Sequence, residues 1–145
     1  MKVPAAIRSA AYKPRKRINR VLMKKVAARL RRLRHEKHYD QESWAIKTPC
    51  GTAACIAGHT LIAAGLSPVQ LIKFHLDINS PSIEDAAQGL LGLDSGQSCD
   101  LFWPSGLLWP EEFAERFRNA KRRRERLSRI AADLLDAVAD GKVKL

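Results

Sequence analysis

The sequence predicts an all-α fold, a compact bundle of about five to six helices around a central helix of small residues. Three observations lead there. Apolar residues recur at helical spacing near both ends of the chain. Hydroxyl or carboxylate capping residues and prolines open several segments that glycines then close. No run of alternating apolar and polar residues competes with the helical pattern. With 145 residues, 46% of them hydrophobic, the chain supports one domain with a modest core.

From Met1 to about Lys16 the chain carries Pro4, Pro14 and many cations with little apolar periodicity, so residues 1–16 are expected to form an extended basic arm that orders on a partner. Residues 17–145 then make a single helical domain. Between Arg17 and about Lys37, Ile18, Leu22, Val26, Leu30 and Leu33, with Val21 beside them, outline an amphipathic helix. Arg29 falls within that stripe, and its guanidinium must snorkel or meet an acid; snorkelling is the expectation. Asp40 to Trp44 reads as a connector. Thr48-Pro49-Cys50-Gly51-Thr52 introduces a helix from about Thr52 to Ala64, closed by Gly65. Its Ala and Gly content lets neighbours approach closely, which predicts a buried central position.

Ser67-Pro68 and Ser80-Pro81 repeat one start signal, a capping hydroxyl followed by proline, ahead of helices from Val69 to Leu76 and Ser82 to Leu91, with Gly92 as the stop. Asp94 caps a short helix reaching Phe102. Two Trp-Pro steps, Trp103-Pro104 and Trp109-Pro110, enclose a loop. One long final helix is expected from Pro110, with Glu111 and Glu112 in its first turn, to Asp140 and Gly141.

The charge is unevenly placed. The net value is +11, yet residues 1–37 hold 14 Lys and Arg against the single acid Glu36, whereas residues 38–110 hold 2 against 7. A second cluster, Lys121, Arg122, Arg123, Arg124, Arg126 and Arg129, lies in the last segment. Concentration of one sign costs self-repulsion unless a polyanion offsets it. The expected partner is therefore nucleic acid, RNA or DNA, met through phosphates by Lys13, Arg15, Lys16, Arg17, Arg20, Lys24, Arg31, Arg32, Arg122, Arg123, Arg124 and Arg126. No zinc finger, RNP motif or Gly-x-x-Gly loop supports base-specific reading. No stretch approaches the roughly 20 apolar residues of a membrane span, so no membrane role is expected.

Three cysteines, an odd number, suit a reducing compartment such as the cytoplasm better than a disulfide framework. Cys50, Cys55, His59 and Cys99 have the residue types of a Cys3His zinc site, because Cys55 and His59 stand four apart on one helical face. Cys50 at a helix entry, with His59 or His75 as base, is the nucleophilic version of the same cluster. Plain packing explains these cysteines more simply. The expectation is accordingly a non-enzymatic protein without a cofactor. A further alternative is a protein-docking module built on Trp103, Leu107, Leu108 and Trp109.

The segment Cys50-Gly51-Thr52-Ala53-Ala54-Cys55-Ile56-Ala57-Gly58-His59, followed by Leu90-Leu91-Gly92-Leu93, Leu101-Phe102 and Trp109-Pro110, resembles a group of small uncharacterised bacterial and phage helical proteins. That group shares a Cys-Gly-Thr-x-x-Cys-x-Ala-Gly segment and a downstream Leu-Phe…Trp-Pro. The resemblance covers about Tyr39 to Asp140. It implies a common helical unit, with no catalytic role to carry over. For the nucleic-acid binding expected from the charge, a larger assembly such as a phage particle or a ribonucleoprotein is the expected setting. The basic front of the chain lies outside it.

Overall fold

The computed structural model describes residues 3–33, 38–41, 45–48, 51–103 and 106–145. The fold is all-α. Among the described residues it comprises helices α1 (Ala5–Ala10), α2 (Arg20–Arg31), α3 (Ile56–Ala63), α4 (Pro68–Leu76), α5 (Ile83–Leu91), α6 (Ser95–Phe102), α7 (Glu111–Arg123) and α8 (Leu127–Ala139). A short hairpin, β1 (Ile46–Thr48) and β2 (Gly51–Ala53), pairs antiparallel with Ile46 opposite Ala53. The periodicity did not predict this hairpin, and three residues per strand are too few to show an alternation.

The capping chemistry explains most boundaries. Asn19 accepts from the Leu22 N–H at the start of α2. Ser67 and Gln70 form a capping box on α4, and Asp94 and Gln97 form another on α6. On α5 the cap is Ser82, two residues beyond the Ser80-Pro81 signal, because the Ser80 hydroxyl instead donates to Asp77 within the preceding turn. Gly65 and Gly92 close α3 and α5 with positive φ, as expected of glycine.

The small-residue helix is central, as its composition predicts. Ile56 through Leu61 are buried on every face, and α3 touches α2, α4, α5 and α6. It begins four residues later than expected, however, because Thr52 and Ala53 belong to β2 and Ala54 bridges to Tyr39.

Three further expectations are corrected. First, residues 3–16 of the expected 1–16 arm are not extended, since α1 folds onto α5 with Ile7 and Ala10 buried. The reason lies in α5. A Cβ at Gly89 would sit 1.9 Å from the Ala10 carbonyl oxygen, and one at Gly92 1.9 Å from that of Arg17, so the two glycines leave room for the front segment's backbone. The Arg15 N–H donates to the Gly89 carbonyl at 3.1 Å and the Asn19 N–H to that of Leu91 at 2.8 Å. Second, the expected single last helix is two. Arg124 adopts φ 53° and ψ 36°, the left-handed region, and the chain reverses there. Arg116 bonds both Glu125 and Asp133; in one continuous helix residues 116 and 133 would stand about 25 Å apart. Third, Val21 is exposed and lies outside the buried stripe of Leu22, Met23, Val26, Ala27 and Leu30.

Because Gly89 has backbone against it, we expect Gly89→Ala to displace α1 and lower stability by about 1–3 kcal/mol, the usual cost of overpacking. A thermal melt beside the parent protein checks this, and an unchanged melting temperature would count against the packing of α1 described above.

Candidate functional site

Two places carry the residues that the sequence singles out: a buried polar cluster around His59, and the cations at the two ends of α2.

His59 lies on α3 and is only 1% exposed. Its Nδ1 accepts from Arg29 Nε at 3.1 Å, and its Nε2 lies 2.9 Å from the His38 carbonyl oxygen. Arg29 has no acceptor capacity and a carbonyl no donor, so the ring is neutral with its proton on Nε2. Tyr39 stacks nearby, with ring centroids 6.3 Å apart and 18° between the planes. The Tyr39 hydroxyl donates to Gln41, whose amide donates to the carbonyls of Leu101 at 3.2 Å and Trp103 at 2.9 Å. Arg29 therefore neither snorkels freely nor meets an acid there. It is half-buried against a histidine, and burial pushes its guanidinium below the usual value.

This arrangement does not suit thiol or metal chemistry. Cys55 is the N-cap of α3 and buried; burial pushes its thiol up to about 11, against the pull of the Gly58 and Ala57 N–H groups, so it stays protonated. Both nitrogens of His59 are engaged, which leaves no basic site for a nucleophile. Cys99 is exposed on α6. Among the described residues no group of three or more His, Cys, Asp or Glu is placed to hold a metal ion, so the Cys55, His59 and Cys99 ligand set is not assembled. Cys50, the fourth candidate, lies outside the described residues.

The Trp-Pro surface is also divided. Trp109 is 3% exposed, donates from Nε1 to the Leu101 carbonyl at 2.9 Å and packs edge-on to Phe117 at 5.1 Å. Trp103 is 46% exposed, with Leu107 and Leu108 also exposed. Pro104 lies outside the described residues.

The cations sort by what they touch. α2 and α8 run antiparallel, and α8 with its C-cap presents Asp133, Asp136 and Asp140 to α2. Lys24 pairs with Asp140 at 2.7 Å and Asp136 at 3.6 Å, and Arg31 pairs with Asp133 at 2.7 Å and with Asp136. Burial alone would raise the Asp133 carboxyl, but hydrogen bonds from Arg116 and Arg31 hold it below its ordinary value. The hydrogen bond from Lys24 does the same for Asp140. Lys24 and Arg31 are thus largely neutralised. By contrast Lys13, Arg15, Lys16, Arg17, Arg20 and Arg32 are exposed, and none has a salt bridge within 4.0 Å among the described residues.

The other cluster forms the α7–α8 turn. Glu125, held by Arg116, and the left-handed Arg124 set the reversal, with the Glu125 N–H closing onto the Ala120 carbonyl at 2.9 Å. Around it Lys121, Arg122, Arg123, Arg124, Arg126 and Arg129 are all exposed. Arg123 reaches Glu115 only at 4.0 Å. A cleft of about 620 Å³ is lined by Phe117, Arg118, Ala120, Lys121, Arg124, Glu125, Arg126 and Leu127. A second, of about 350 Å³, is lined by Arg123, Arg124, Glu125, Arg126 and Arg129. Arg126 Nη1 donates to the Leu33 carbonyl at 3.2 Å, which brings this turn to the C-terminal end of α2 and to Arg32. Phe117 and Arg118 are additions that the charge count alone did not mark; the helical spacing of Phe113 and Phe117 was the available signal.

The His59 cluster generates a pH dependence. Burial lowers the folded His59 to about 4 from 6.5, so the unfolded chain binds a proton there that the native state refuses. Stability present above about pH 6.5 is therefore lost as the pH falls towards about 4, by about 3 kcal/mol. Asp133 and Asp140, held below their ordinary values, add their own loss only at lower pH. Urea unfolding midpoints measured from pH 7 to 4 should fall across this window in the parent chain and stay flatter in His59→Leu, which is also less stable throughout. Comparison with protein-family models, curated proteins and solved structures finds no match for this chain.

Proposed function

We propose that this protein binds nucleic acid through the phosphate backbone, without reading bases, and has no catalytic activity of its own. The observation that supports this most is the α7–α8 turn, where exposed Lys121, Arg123, Arg124, Arg126 and Arg129 line two clefts beside Arg122, and only Glu125, already bonded to Arg116, offsets them within the clefts' lining. Arginine forks match phosphate oxygens in pairs, and a surface of this kind attracts any strand irrespective of sequence. No base-reading helix is needed for such contacts. A reducing compartment such as the cytoplasm, and assembly with a phage or ribonucleoprotein polyanion, are the settings this reading favours.

A second reading, docking to a protein partner, rests on Trp103, Leu107 and Leu108. Trp109, covered by the protein's own side chains, drops out of it. The charge distribution favours the first reading, because an apolar patch does not account for cations gathered at both ends of α2.

The test is a salt titration of binding to generic single-stranded RNA and to duplex DNA, for the parent chain and for Arg122→Ala with Arg123→Ala. We expect binding to weaken to a similar degree across unrelated sequences in the variant. The slope of log K against log salt should become shallower by about 0.9 for each duplex phosphate that the variant no longer neutralises. Binding that survives the double substitution with the same slope would overturn the role of the turn, and no binding of the parent chain would overturn the proposal.

A further inference from the structure

We infer that the nucleic-acid ligand is held at two separate patches at once, so that a strand long enough to run the length of α2 is bound bivalently and a shorter one by a single patch. This rests on the phosphate-binding reading above and adds to it a minimum ligand length.

The first patch is Lys13, Arg15, Lys16 and Arg17, exposed side chains on a segment whose backbone is tied down. The Arg15 N–H is bonded to Gly89, and the Arg17 carbonyl lies where a side chain at Gly92 would be. These cations therefore stand at a fixed place beside the N-terminal end of α2. The second patch, Arg32 with the α7–α8 turn, stands at the opposite end, because Arg126 is bonded to the carbonyl of Leu33. The 12 residues of α2 separate the two by about 18 Å.

Between them the surface is close to neutral on the side facing α8. Lys24 and Arg31 are occupied by Asp133, Asp136 and Asp140, and those carboxylates repel a phosphate approaching the seam. Lys25, exposed one residue beyond Lys24, is the single cation left on α2 between the ends, so along the seam the cations form two patches with a gap. Phosphates on a duplex strand follow one another every 3.4 Å or so, and about five steps cover the gap. Once one patch holds the strand, the second contact is intramolecular, with an effective concentration in the millimolar range, and affinity can rise by about 10²-fold or more without any new kind of contact.

The experiment is a length series of oligothymidylates and of hairpin duplexes, from three nucleotides upwards, bound at low salt by the parent chain and by two variants. One variant is Lys16→Ala with Arg17→Ala, the other Arg122→Ala with Arg123→Ala; their thermal melts are recorded beside the parent. We expect the parent's affinity to step upwards by at least tenfold over a narrow range of lengths. On short ligands either variant should lose at most about twofold, since the other patch remains, whereas on long ligands either should lose tenfold or more. A smooth rise in proportion to length, with each variant losing the same factor at every length, would overturn bridging and leave phosphate binding in place. Absence of binding at every length would overturn both. The parent series alone decides between a step and a smooth rise, so the conclusion survives if a variant proves unstable.

Discussion

The antiparallel pairing of α2 with α8 is the interaction on which the rest of the structure depends. Both helices contribute a buried stripe to the same core, Leu22, Met23, Val26, Ala27 and Leu30 from one and Ile130, Ala131, Leu134, Leu135 and Val138 from the other. Burial of the leucine, isoleucine, valine and methionine side chains is worth about 1.5–3 kcal/mol each, whereas an exposed ion pair is worth about 0–1 kcal/mol. The apolar seam therefore supplies the stability, and the ion pairs flanking it serve a different end. They set the direction of pairing and remove two cations from a helix that would otherwise repel itself.

That division of labour decides what the surface offers. α2 is too basic to lie against another basic element, and α8 meets it with three aspartates at helical spacing. The cations outside their reach are left to the solvent, gathered at the two ends of the helix, with Lys25 alone between them. Arg116 extends the same network to α7, since it joins Glu125 at the turn to Asp133 on the seam. The shape of the arginine-rich turn and the neutral seam between α2 and α8 are consequences of one set of carboxylates.

Polarity inside the core follows a comparable rule. α3 can be surrounded by neighbours because Ala57 and Gly58 leave little side chain to accommodate, but a helix so plain has little to specify its orientation. His59 provides that: Arg29 of α2 on one ring nitrogen and the carbonyl of His38 on the other fix the helix against two separate parts of the chain. Unpaired, each of these buried groups would cost about 1–3 kcal/mol, which makes any other seating of α3 unfavourable. The cysteine one turn earlier is held in the same apolar surroundings, and its thiol is kept protonated for that reason.

Much of this is legible in the linear chain. Helical periodicity, the capping boxes at Ser67 and Asp94, the stops at Gly65 and Gly92 and the two concentrations of cations are local properties, because propensity, capping and charge act over a few residues. What tertiary structure decided concerns partners distant in sequence. The front segment is indistinguishable from a free basic arm until Gly89 and Gly92 offer it a surface, and a proline-containing stretch carries no sign of the backbone that will receive it. The break at Arg124 runs against local preference, since a non-glycine residue in the left-handed region is unfavourable; the bonds from Arg116 to Glu125 and Asp133 hold the reversed chain. The pairing of Arg29 with His59, 30 positions away, and of Lys24 and Arg31 with the aspartates of α8, more than 100 positions away, likewise awaited the fold. Periodicity and capping determined that the protein is helical, and composition that it is basic. Which of its charges face solvent was decided only when α8 lay down beside α2, because Coulomb attraction acts through space and takes no account of order along the chain.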